Sequence, residues 1–342
     1  MIFVTGGTGM VGAHLIYDLV LKGEKVRALK RPGSSLHRIE KIFSFYNTNP
    51  QPLLKNIEWV EGDLLDKEGL RGLITGVDQI YHAAAIISFD SRERDVIIHT
   101  NCEGTSNLAD LALSEGVHRF CHVSSIAAIG SPPEGIEASE DHPWRNSRDH
   151  SAYTESKYLS EMEVWRAMLQ GLDAVIVNPS VIIGPGDWKT GSSMVFSKIW
   201  HGLKFYTTGG TGVVDVRDVT KAMQLLMAHE TWETVKNQRY ILSAENVTFF
   251  EFFNQIADNL RVNRPKILAG KPLLKIAWRL LALIRVLTGI KPTLTRETAR
   301  SASKLSSYDG SKICRIIGFK YTPAEVSFRE ISLIFLKDHG RL

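Results

Sequence analysis

Tyr153 and Lys157, in the segment YTESK, form the residue pair with the clearest chemical potential in this sequence. Residues four apart lie on one face of a helix, so we expect the phenol and the ammonium to be neighbours. A phenol ordinarily has a pKa of about 10, and an adjacent ammonium lowers that pKa toward neutrality. Ser124 or Ser125, at the end of FCHVSS, can hold a substrate oxygen beside the phenol. Taken alone such a pair is usually an exposed helix face, but together these groups predict proton transfer at an alcohol or carbonyl oxygen.

A glycine-rich turn near the N-terminus indicates a dinucleotide-binding site. Residues 2–5 read as a buried strand, and the GGTGMVG that follows places Gly6, Gly9 and Gly12 before and within an apolar helix. A strand, a glycine turn and a helix N-terminus in this order are what a pyrophosphate requires. Gly6 allows the tight turn, Gly9 lets the pyrophosphate approach the backbone, and Gly12 lets the helix pack on the strand.

The elements that must position these residues alternate between strand and helix through about residue 180, which predicts an α/β fold with a doubly wound parallel sheet. Residues 1–183 form the expected cofactor-binding domain. Residues 184–342 form a smaller, helix-rich, mainly substrate-binding subdomain, from which segments within about 205–242 return to the sheet. Loops are predicted at 47–52 and 131–135. The predicted strands are residues 2–5, 25–30, 57–61, 78–82, 119–124 and 173–178.

Composition narrows the class of protein and its partners. The net charge of +4 on 342 residues comes without a Lys/Arg run, which argues against nucleic acid. Cys102, Cys121 and Cys314 lack metal-ligand spacing, so no metal is expected, and so few cysteines suit a reducing compartment. The sequence opens directly on a strand, so we expect no signal peptide and a cytoplasmic location. The expected partner is a small-molecule substrate, and a homodimer stays open.

The apolar stretch 272–289 has three interpretations. It is a core or subunit-interface helix, a lid over the substrate pocket, or a contact with a membrane surface. Three charges within it make a membrane span a poor explanation. The core or interface helix is favoured and the membrane contact is least favoured.

Five segments carry a resemblance to a known family: TGGTGMVG, YHAAA, FCHVSS, SAYTESK and NPSVIIGPGD. Their order resembles an extended short-chain dehydrogenase/reductase, of the NAD-dependent epimerase/dehydratase superfamily. Sugar-nucleotide members carry Arg, Asn and Tyr where this chain has Asn178, Val181 and Ile183. The sequence is therefore more similar to dihydroflavonol reductase and 3β-hydroxysteroid dehydrogenase members. The resemblance covers nearly the whole chain, more loosely after about residue 190, and implies a Rossmann fold, a nicotinamide cofactor and a Ser–Tyr–Lys mechanism.

The resemblance also implies roles for the catalytic residues. Tyr153 would protonate the carbonyl oxygen, and Lys157 would bind the ribose hydroxyls and lower the pKa of Tyr153. Ser125 stands five residues before Gly130, as the family's serine does before its glycine, so Ser125 would donate a hydrogen bond to the substrate oxygen. Ser124 would then face the cofactor.

The second strand indicates which nicotinamide cofactor is bound. It ends in Lys30-Arg31 with no acid, and a cation favours the 2′-phosphate of NADP, so NADP(H) is preferred over NAD(H). Arg31 is the predicted phosphate contact, with Lys30 and Ser34 as helpers, although solvated loop charges are the alternative. By resemblance Asp63 accepts from the adenine amine, while Asp66 caps the next helix. The predicted cofactor contacts are Gly6, Thr8, Gly9, Met10, Val11, Gly12, Arg31, Asp63, Leu64, Ala83, Ala84, Ala85, Ser124, Tyr153, Lys157, Pro179, Ser180 and Val181.

Further residues receive weaker predictions. Asn101 either supports a helix kink near the lysine, as in the family, or is simply exposed. Four large side chains would line an apolar pocket or serve as ordinary packing: Phe89, Trp144, Met194 and Phe205. Arg217 either meets a substrate phosphate or pairs with Asp215 or Asp218.

These observations predict an NADP(H)-dependent oxidoreductase that reduces a ketone or aldehyde, or oxidises the alcohol, of a mainly apolar substrate. Two alternatives remain. One is a sugar-nucleotide epimerase or dehydratase, and the other is a regulator that binds NADP without turnover. The presence of Ser125, Tyr153 and Lys157 together favours catalysis.

Overall fold

The computed structural model describes residues 1–130, 132–133, 135–145, 147, 150–288 and 295–341, with the backbone alone described for residues 91 and 282–288. Its strands are β1 Ile2–Thr5, β2 Val26–Lys30, β3 Ile57–Glu61, β4 Gln79–His82, β5 Arg119–Val123, β6 Glu137–Ala138, β7 Ala174–Pro179, β8 Val181–Ile183, β9 Phe205–Tyr206, β10 Gly210–Asp215, β11 Gln238–Leu242, β12 Glu245–Thr248, β13 Ile267–Leu268 and β14 Ser307–Tyr308. Its helices are α1 Met10–Leu21, α2 His37–Tyr46, α3 Gln51–Leu54, α4 Lys67–Ile74, α5 Arg94–Ser114, α6 Ile126–Ile129, α7 Ala152–Leu169, α8 Met194–Trp200, α9 Val216–Leu226, α10 Trp232–Val235, α11 Phe249–Asn259, α12 Lys271–Thr288, α13 Arg296–Ser301, α14 Ser311–Ile317 and α15 Ala324–Asp338, with a 3₁₀ turn at Ser91–Glu93.

Seven parallel strands form the central sheet in the order β3–β2–β1–β4–β5–β7–β11. Every residue of β1 and β7 is buried, because helices cover both faces of the sheet. The six predicted strands agree with the observed bounds to within one residue at each end. The predicted doubly wound Rossmann sheet is therefore confirmed.

Two apolar cores lie on opposite faces of this sheet. One joins α1, α2 and α9, and the other joins α4, α5 and α7. The chain order reverses between β1 and β4, so the carboxyl ends of these strands flank a crevice, which is where such sheets bind nucleotides.

The later part of the chain divides between the main sheet and a second core. β11 returns to the main sheet beside β7, as expected of a segment within 205–242. β10 instead pairs with β8 and β12 in a three-stranded sheet, and α8, α11 and α15 surround the core beneath it. The division into two domains at residue 183 stays a prediction.

Two predicted loops differ in outcome. Within 47–52 a short helix, α3, begins at Gln51, because Pro52 fits the first turn of a helix. Of 131–135, residues 131 and 134 lie outside the described part of the chain.

The apolar stretch 272–289 forms α12 up to Thr288, and residue 289 lies outside the described residues. Leu274 is buried against Ala299 of α13, whereas Leu273, Ile276 and Leu280 are exposed. In the portion of the chain that is described, no helix has the length and apolar character needed to span a membrane.

Candidate active site

The glycine turn after β1 is shaped by close backbone approach. Gly6 has φ +71°, and a Cβ there would lie 2.6 Å from the Ala83 carbonyl carbon. A Cβ on Gly12 would lie 2.2 Å from the Gly6 carbonyl oxygen. The N-cap of α1 is Gly9, which has no side chain to bond the N–H groups of the first turn. Those donors are therefore available to an anion, and the crevice fits a dinucleotide pyrophosphate.

Between the ends of β1, β2 and β4 lies a cavity of about 260 Å³. Its size and small-residue wall after β4 suit the adenosine half of a dinucleotide. The cavity brings together nine of the predicted cofactor contacts: Gly6, Thr8, Gly9, Arg31, Asp63, Leu64, Ala83, Ala84 and Ala85.

The other predicted contacts lie elsewhere along the crevice or in the core. Met10, Val11 and Gly12 belong to the first turn of α1, and Pro179 ends β7. Ser180 is buried, and Val181 packs against the second core. Contact between these residues and the cofactor stays a prediction.

Three polar side chains surround the predicted 2′-phosphate position. Arg31, Ser34 and Arg38 all line the cavity. Lys30 lines it too, but its ammonium pairs with Glu61, which limits its role as a helper. Sequence reasoning missed Arg38, although a second cation seven residues after Arg31, at the start of the next helix, was a visible signal.

Asp63 lies at the adenosine cavity, whereas Asp66 caps a helix. An Asp63 side-chain oxygen accepts from the Leu65 N–H at 3.0 Å, and Asp63 lines the adenosine cavity. Asp66 is the N-cap of α4 and accepts from the Gly69 N–H at 3.0 Å.

Ser125, Tyr153 and Lys157 meet at the carboxyl end of β5. Ser125 caps α6, and its hydroxyl accepts from the Ala127 N–H at 3.1 Å. It also lies close enough to the Tyr153 phenol to lower the pKa of that group. Gly130 ends this short helix at φ +92°, a conformation that favours glycine. The turn from residue 125 to 130 thus fixes the serine beside the phenol.

The electrostatics of Tyr153 differ from the expectation. Burial raises the pKa of Tyr153, and the hydrogen bond from Ser125 opposes that rise. Lys157 directs its ammonium to the Val123 carbonyl at 2.8 Å, and burial lowers the pKa of Lys157 to about 8, against the attraction of Glu161. The expectation of a lowered tyrosine pKa is therefore wrong for this arrangement, because burial dominates and the ammonium is turned to the backbone.

Behind the lysine lies a buried carboxylate that sequence reasoning missed. Glu161 is fully buried and accepts from Ser124 Oγ at 2.7 Å, Asn178 Nδ2 at 2.7 Å and Arg239 Nη1 at 3.0 Å. Its place four residues after Lys157, on the same helix face, was the available signal. The Ser124 hydroxyl is engaged by this carboxylate, and its predicted contact with the cofactor remains untested.

Two asparagines tie the site's loops to its helices. Asn178 also donates to the Ser125 carbonyl at 3.1 Å. Asn101 is buried, accepts from the Ile86 N–H at 2.7 Å, and donates to the Ile86 carbonyl and to Ser156 Oγ at 3.0 Å. Asn101 therefore joins the loop after β4 to α5 and α7, so the exposed alternative is wrong.

A second cavity, of about 660 Å³, lies beside the Ser125–Gly130 turn. Phe89, whose ring centroid lies 5.7 Å from that of Tyr153, lines one side together with Thr154, and α12 and α13 line the other. Trp144 instead stacks on Tyr158. Met194 and Phe205 begin α8 and β9 and are not among its described lining residues.

The polarity of this cavity differs from the expectation of a mostly apolar pocket. Its described lining includes seven Lys and Arg side chains beside its apolar groups. Ile183, one of the apolar replacements that suggested such a pocket, lies in the second core. Arg217 pairs with Asp215 and Glu330, each at 2.6 Å, so it is not free to meet a phosphate.

The fold and site define a dinucleotide-binding α/β protein with a serine, a tyrosine and a lysine together at the carboxyl end of β5. The model of the NAD dependent epimerase/dehydratase family matches residues 2–240, and the chain belongs to this family.

Relatives with reductase and dehydrogenase names extend over most of the chain. A Synechocystis protein with the provisional name dihydroflavonol 4-reductase is 30% identical over 99% of this chain and 95% of its own. A 3 beta-hydroxysteroid dehydrogenase/Delta 5-->4-isomerase of Mycobacterium tuberculosis is 27% identical over 79% of this chain and 72% of its own. The protein is therefore an NAD(P)-dependent oxidoreductase of the extended short-chain type.

Solved structures share the fold over the full length. The crystal structure of gox2253 has a TM-score of 0.80 and 29% identity, covering 100% of this chain and 99% of that one. UDP-glucose 4-epimerase from Thermotoga maritima with UDP-glucose has a TM-score of 0.77 and 19% identity, covering 99% of each chain. The second likeness bears on the fold alone.

Proposed function

We propose that the protein is an NADP(H)-dependent reductase of ketones or aldehydes, or the corresponding alcohol dehydrogenase, that works through Ser125, Tyr153 and Lys157. The observation that carries the proposal is that Ser125 lies close enough to the Tyr153 phenol to lower its pKa, with Lys157 one helical turn further along the same helix. A carbonyl oxygen placed between two such hydroxyls receives a proton from one and a hydrogen bond from the other.

The chemistry of the residues suits the reductive direction. A bound nicotinamide supplies the hydride. Tyr153 keeps its proton at neutral pH, because burial raises its pKa, and it can donate that proton to the substrate oxygen. Ser125 stabilises the negative charge that develops on the same oxygen. Lys157, one helical turn further along α7, is the candidate to bind the ribose hydroxyls of the cofactor.

The preference for NADP(H) rests on Arg31 and Arg38. Both line the adenosine cavity near Ser34, and Arg31 forms no ion pair with a described carboxylate. Arg38 pairs with Asp187 at 3.1 Å across the crevice. A guanidinium can bind a phosphate through two parallel hydrogen bonds, which an NAD ribose does not offer.

A substrate with a substantial apolar part is supported by Phe89, Leu274 and Trp278 around the larger cavity. It is also supported by relatives named for dihydroflavonol and hydroxysteroid chemistry. Arg217 is engaged by Asp215 and Glu330, which argues against a sugar-nucleotide phosphate there. The complete Ser–Tyr–Lys set argues against a regulator without turnover. A cytoplasmic location, which suits three free cysteines, belongs to the same proposal.

The test is a panel of carbonyl compounds offered to the enzyme with NADPH or NADH, followed by loss of reduced-nicotinamide absorbance. The panel holds flavanones, steroid ketones, aliphatic ketones and aldehydes, beside UDP and dTDP sugars. Oxidation of NADPH faster than NADH, by at least one apolar carbonyl compound, is expected. Turnover of sugar nucleotides alone would replace the proposal with the epimerase or dehydratase alternative.

A further inference from the structure

The larger cavity carries an unusual excess of positive charge. Among its described lining residues are seven Lys and Arg side chains and a single carboxylate, Glu297. Six of the cations lie on α12, α13 and the turn after α13: Lys271, Lys275, Arg279, Arg296, Arg300 and Lys304. The proposed proton transfer at Ser125 and Tyr153 uses none of them.

These cations form two stripes that face one cavity. Lys271, Lys275 and Arg279 are spaced four residues apart on α12, and Arg296 and Arg300 have the same spacing on α13. Like charges at this spacing repel each other and destabilise a helix. Two helices that turn such stripes toward a shared space add further repulsion, which a bound anion would relieve.

Little protein charge offsets the α12 stripe. Within the described chain, Lys271, Lys275 and Arg279 are absent from the ion pairs, and so is Lys304. The Arg279 guanidinium lies 4.8 Å from the centroid of the Trp278 ring, and its Nη1 donates to the Lys275 carbonyl at 2.8 Å. Its other N–H groups form no hydrogen bond with the described residues and can donate to an anion. Glu297, which attracts Arg296 and Arg300, is half-buried, and burial raises its pKa.

The same cavity has an apolar side. Leu274 is buried, and Trp278 packs on the small core that joins α12 to α13. Phe89, on the opposite wall, contacts the ring of Tyr153. A ligand that enters the cavity past Phe89, the lining residue that contacts Tyr153, meets apolar groups as well as the cations of α12 and α13.

We propose that the substrate is an amphiphile, with its carbonyl or alcohol near Tyr153 and an anionic group, a carboxylate or phosphate, bound by the cations of α12 and α13. This inference rests on the proposed function and names its substrate class. Clefts lined by one sign of charge focus the field, so the anion contributes to both association rate and affinity. In this arrangement α12 forms a wall of the substrate site.

The test uses calorimetry of the NADP⁺-bound enzyme with decanoate, decyl phosphate, decanol and UDP as probes. At low salt the two anionic chains are expected to bind at least about tenfold more tightly than decanol. Added salt should reduce that preference, because the cations are exposed and screened. Decanoate and decyl phosphate together distinguish a carboxylate site from one that requires phosphate.

The variant Lys275→Glu/Arg279→Glu should lose the preference for anions while binding decanol as before. Lys320→Glu/Arg329→Glu changes the net charge equally at exposed positions outside the cavity lining, and it should keep the preference. Lys275→Gln/Arg279→Gln, which introduces no repulsion, serves if the reversed pair fails to fold.

Three results would overturn the inference: binding of decanol as tight as that of both decanoate and decyl phosphate, no binding of either anionic chain, or equal losses in the cavity and control variants. UDP binding as tightly as decyl phosphate through the same cations would assign the anion to a nucleotide and overturn the amphiphile. NADPH oxidation with neutral ketones is measured separately, so the reductase proposal survives or fails on its own data.

Discussion

Replacing Glu161 by glutamine should destabilise the protein strongly, although the residue touches no substrate. The carboxylate is fully buried and accepts from Ser124, Asn178 and Arg239, and from Trp165 at 3.3 Å. The glutamine amide has one oxygen that can accept hydrogen bonds, where the carboxylate has two. In place of the second oxygen it has an NH₂ group, which faces donors that it cannot accept from. Each buried donor left without a partner costs about 1–3 kcal/mol. Arg239, which is 19% exposed, keeps part of its hydration, so we expect a total loss of about 3 kcal/mol.

Thermal unfolding followed by circular dichroism measures this loss, expected as a fall in Tm of roughly 4–10 °C. Glu163→Gln is the matched control on the same helix, since that carboxylate is 29% exposed and pairs with Arg166 at the surface. It should cost less than about 1 kcal/mol. Arg239→Met should partly rescue Glu161→Gln, because it removes the charge left without its partner. Equal Tm values for Glu161→Gln and Glu163→Gln would refute the buried network as a source of stability.

Three further perturbations test the cofactor and proton chemistry. In calorimetry, Arg31→Ala should weaken the binding of NADP⁺ by about 1.5–3 kcal/mol and leave the binding of NAD⁺ unchanged. Arg38→Ala should cause a smaller loss of NADP⁺ affinity, because the Arg38 side chain already pairs with a carboxylate. Gly6→Ala should weaken the binding of both dinucleotides, because its Cβ would lie 2.6 Å from the backbone of Ala83, just after β4. Unchanged binding would contradict the close approach of the two backbones. In a pH profile, kcat/KM for NADPH should fall as pH rises through about 8, where Lys157 loses its proton, and Glu161→Gln should move that fall to lower pH.

Much of the sheet could be predicted from the sequence because its signals are local. The runs IFVT and AVIVNP are apolar at nearly every position, as strands covered on both faces must be. Gly6 and Gly12 have the spacing that the close turn requires, and a side chain at either would collide with backbone. Tyr153 and Lys157 were identifiable because one helix carries both.

The buried network could not be predicted, because its members come from distant parts of the chain. Glu161 and Arg239 are 78 residues apart and meet only because β11 pairs with β7 at the edge of the sheet. The direction of the Lys157 ammonium likewise depends on the position of the Val123 carbonyl, at the end of β5. Neither relation has a trace in residue spacing.

The cations of α12 are visible in the sequence, but the sequence does not show which surface they face. Lys275 and Arg279 interrupt an apolar stretch, and by themselves they only argued against a membrane span. Their meaning depends on what they face. That is a cavity shared with Arg296 and Arg300 of α13, which only the tertiary structure reveals.

The central claim is that Tyr153 donates the proton in an NADPH-dependent reduction. Its most direct test compares wild type with Tyr153→Phe in single-turnover oxidation of NADPH by the best carbonyl compound of the panel, with NADP⁺ affinity measured alongside. The account predicts a rate about 10²–10⁴-fold lower in the variant, with cofactor affinity unchanged, because only the proton donor is removed. A variant that keeps more than about a tenth of the wild-type rate would contradict general acid catalysis by Tyr153.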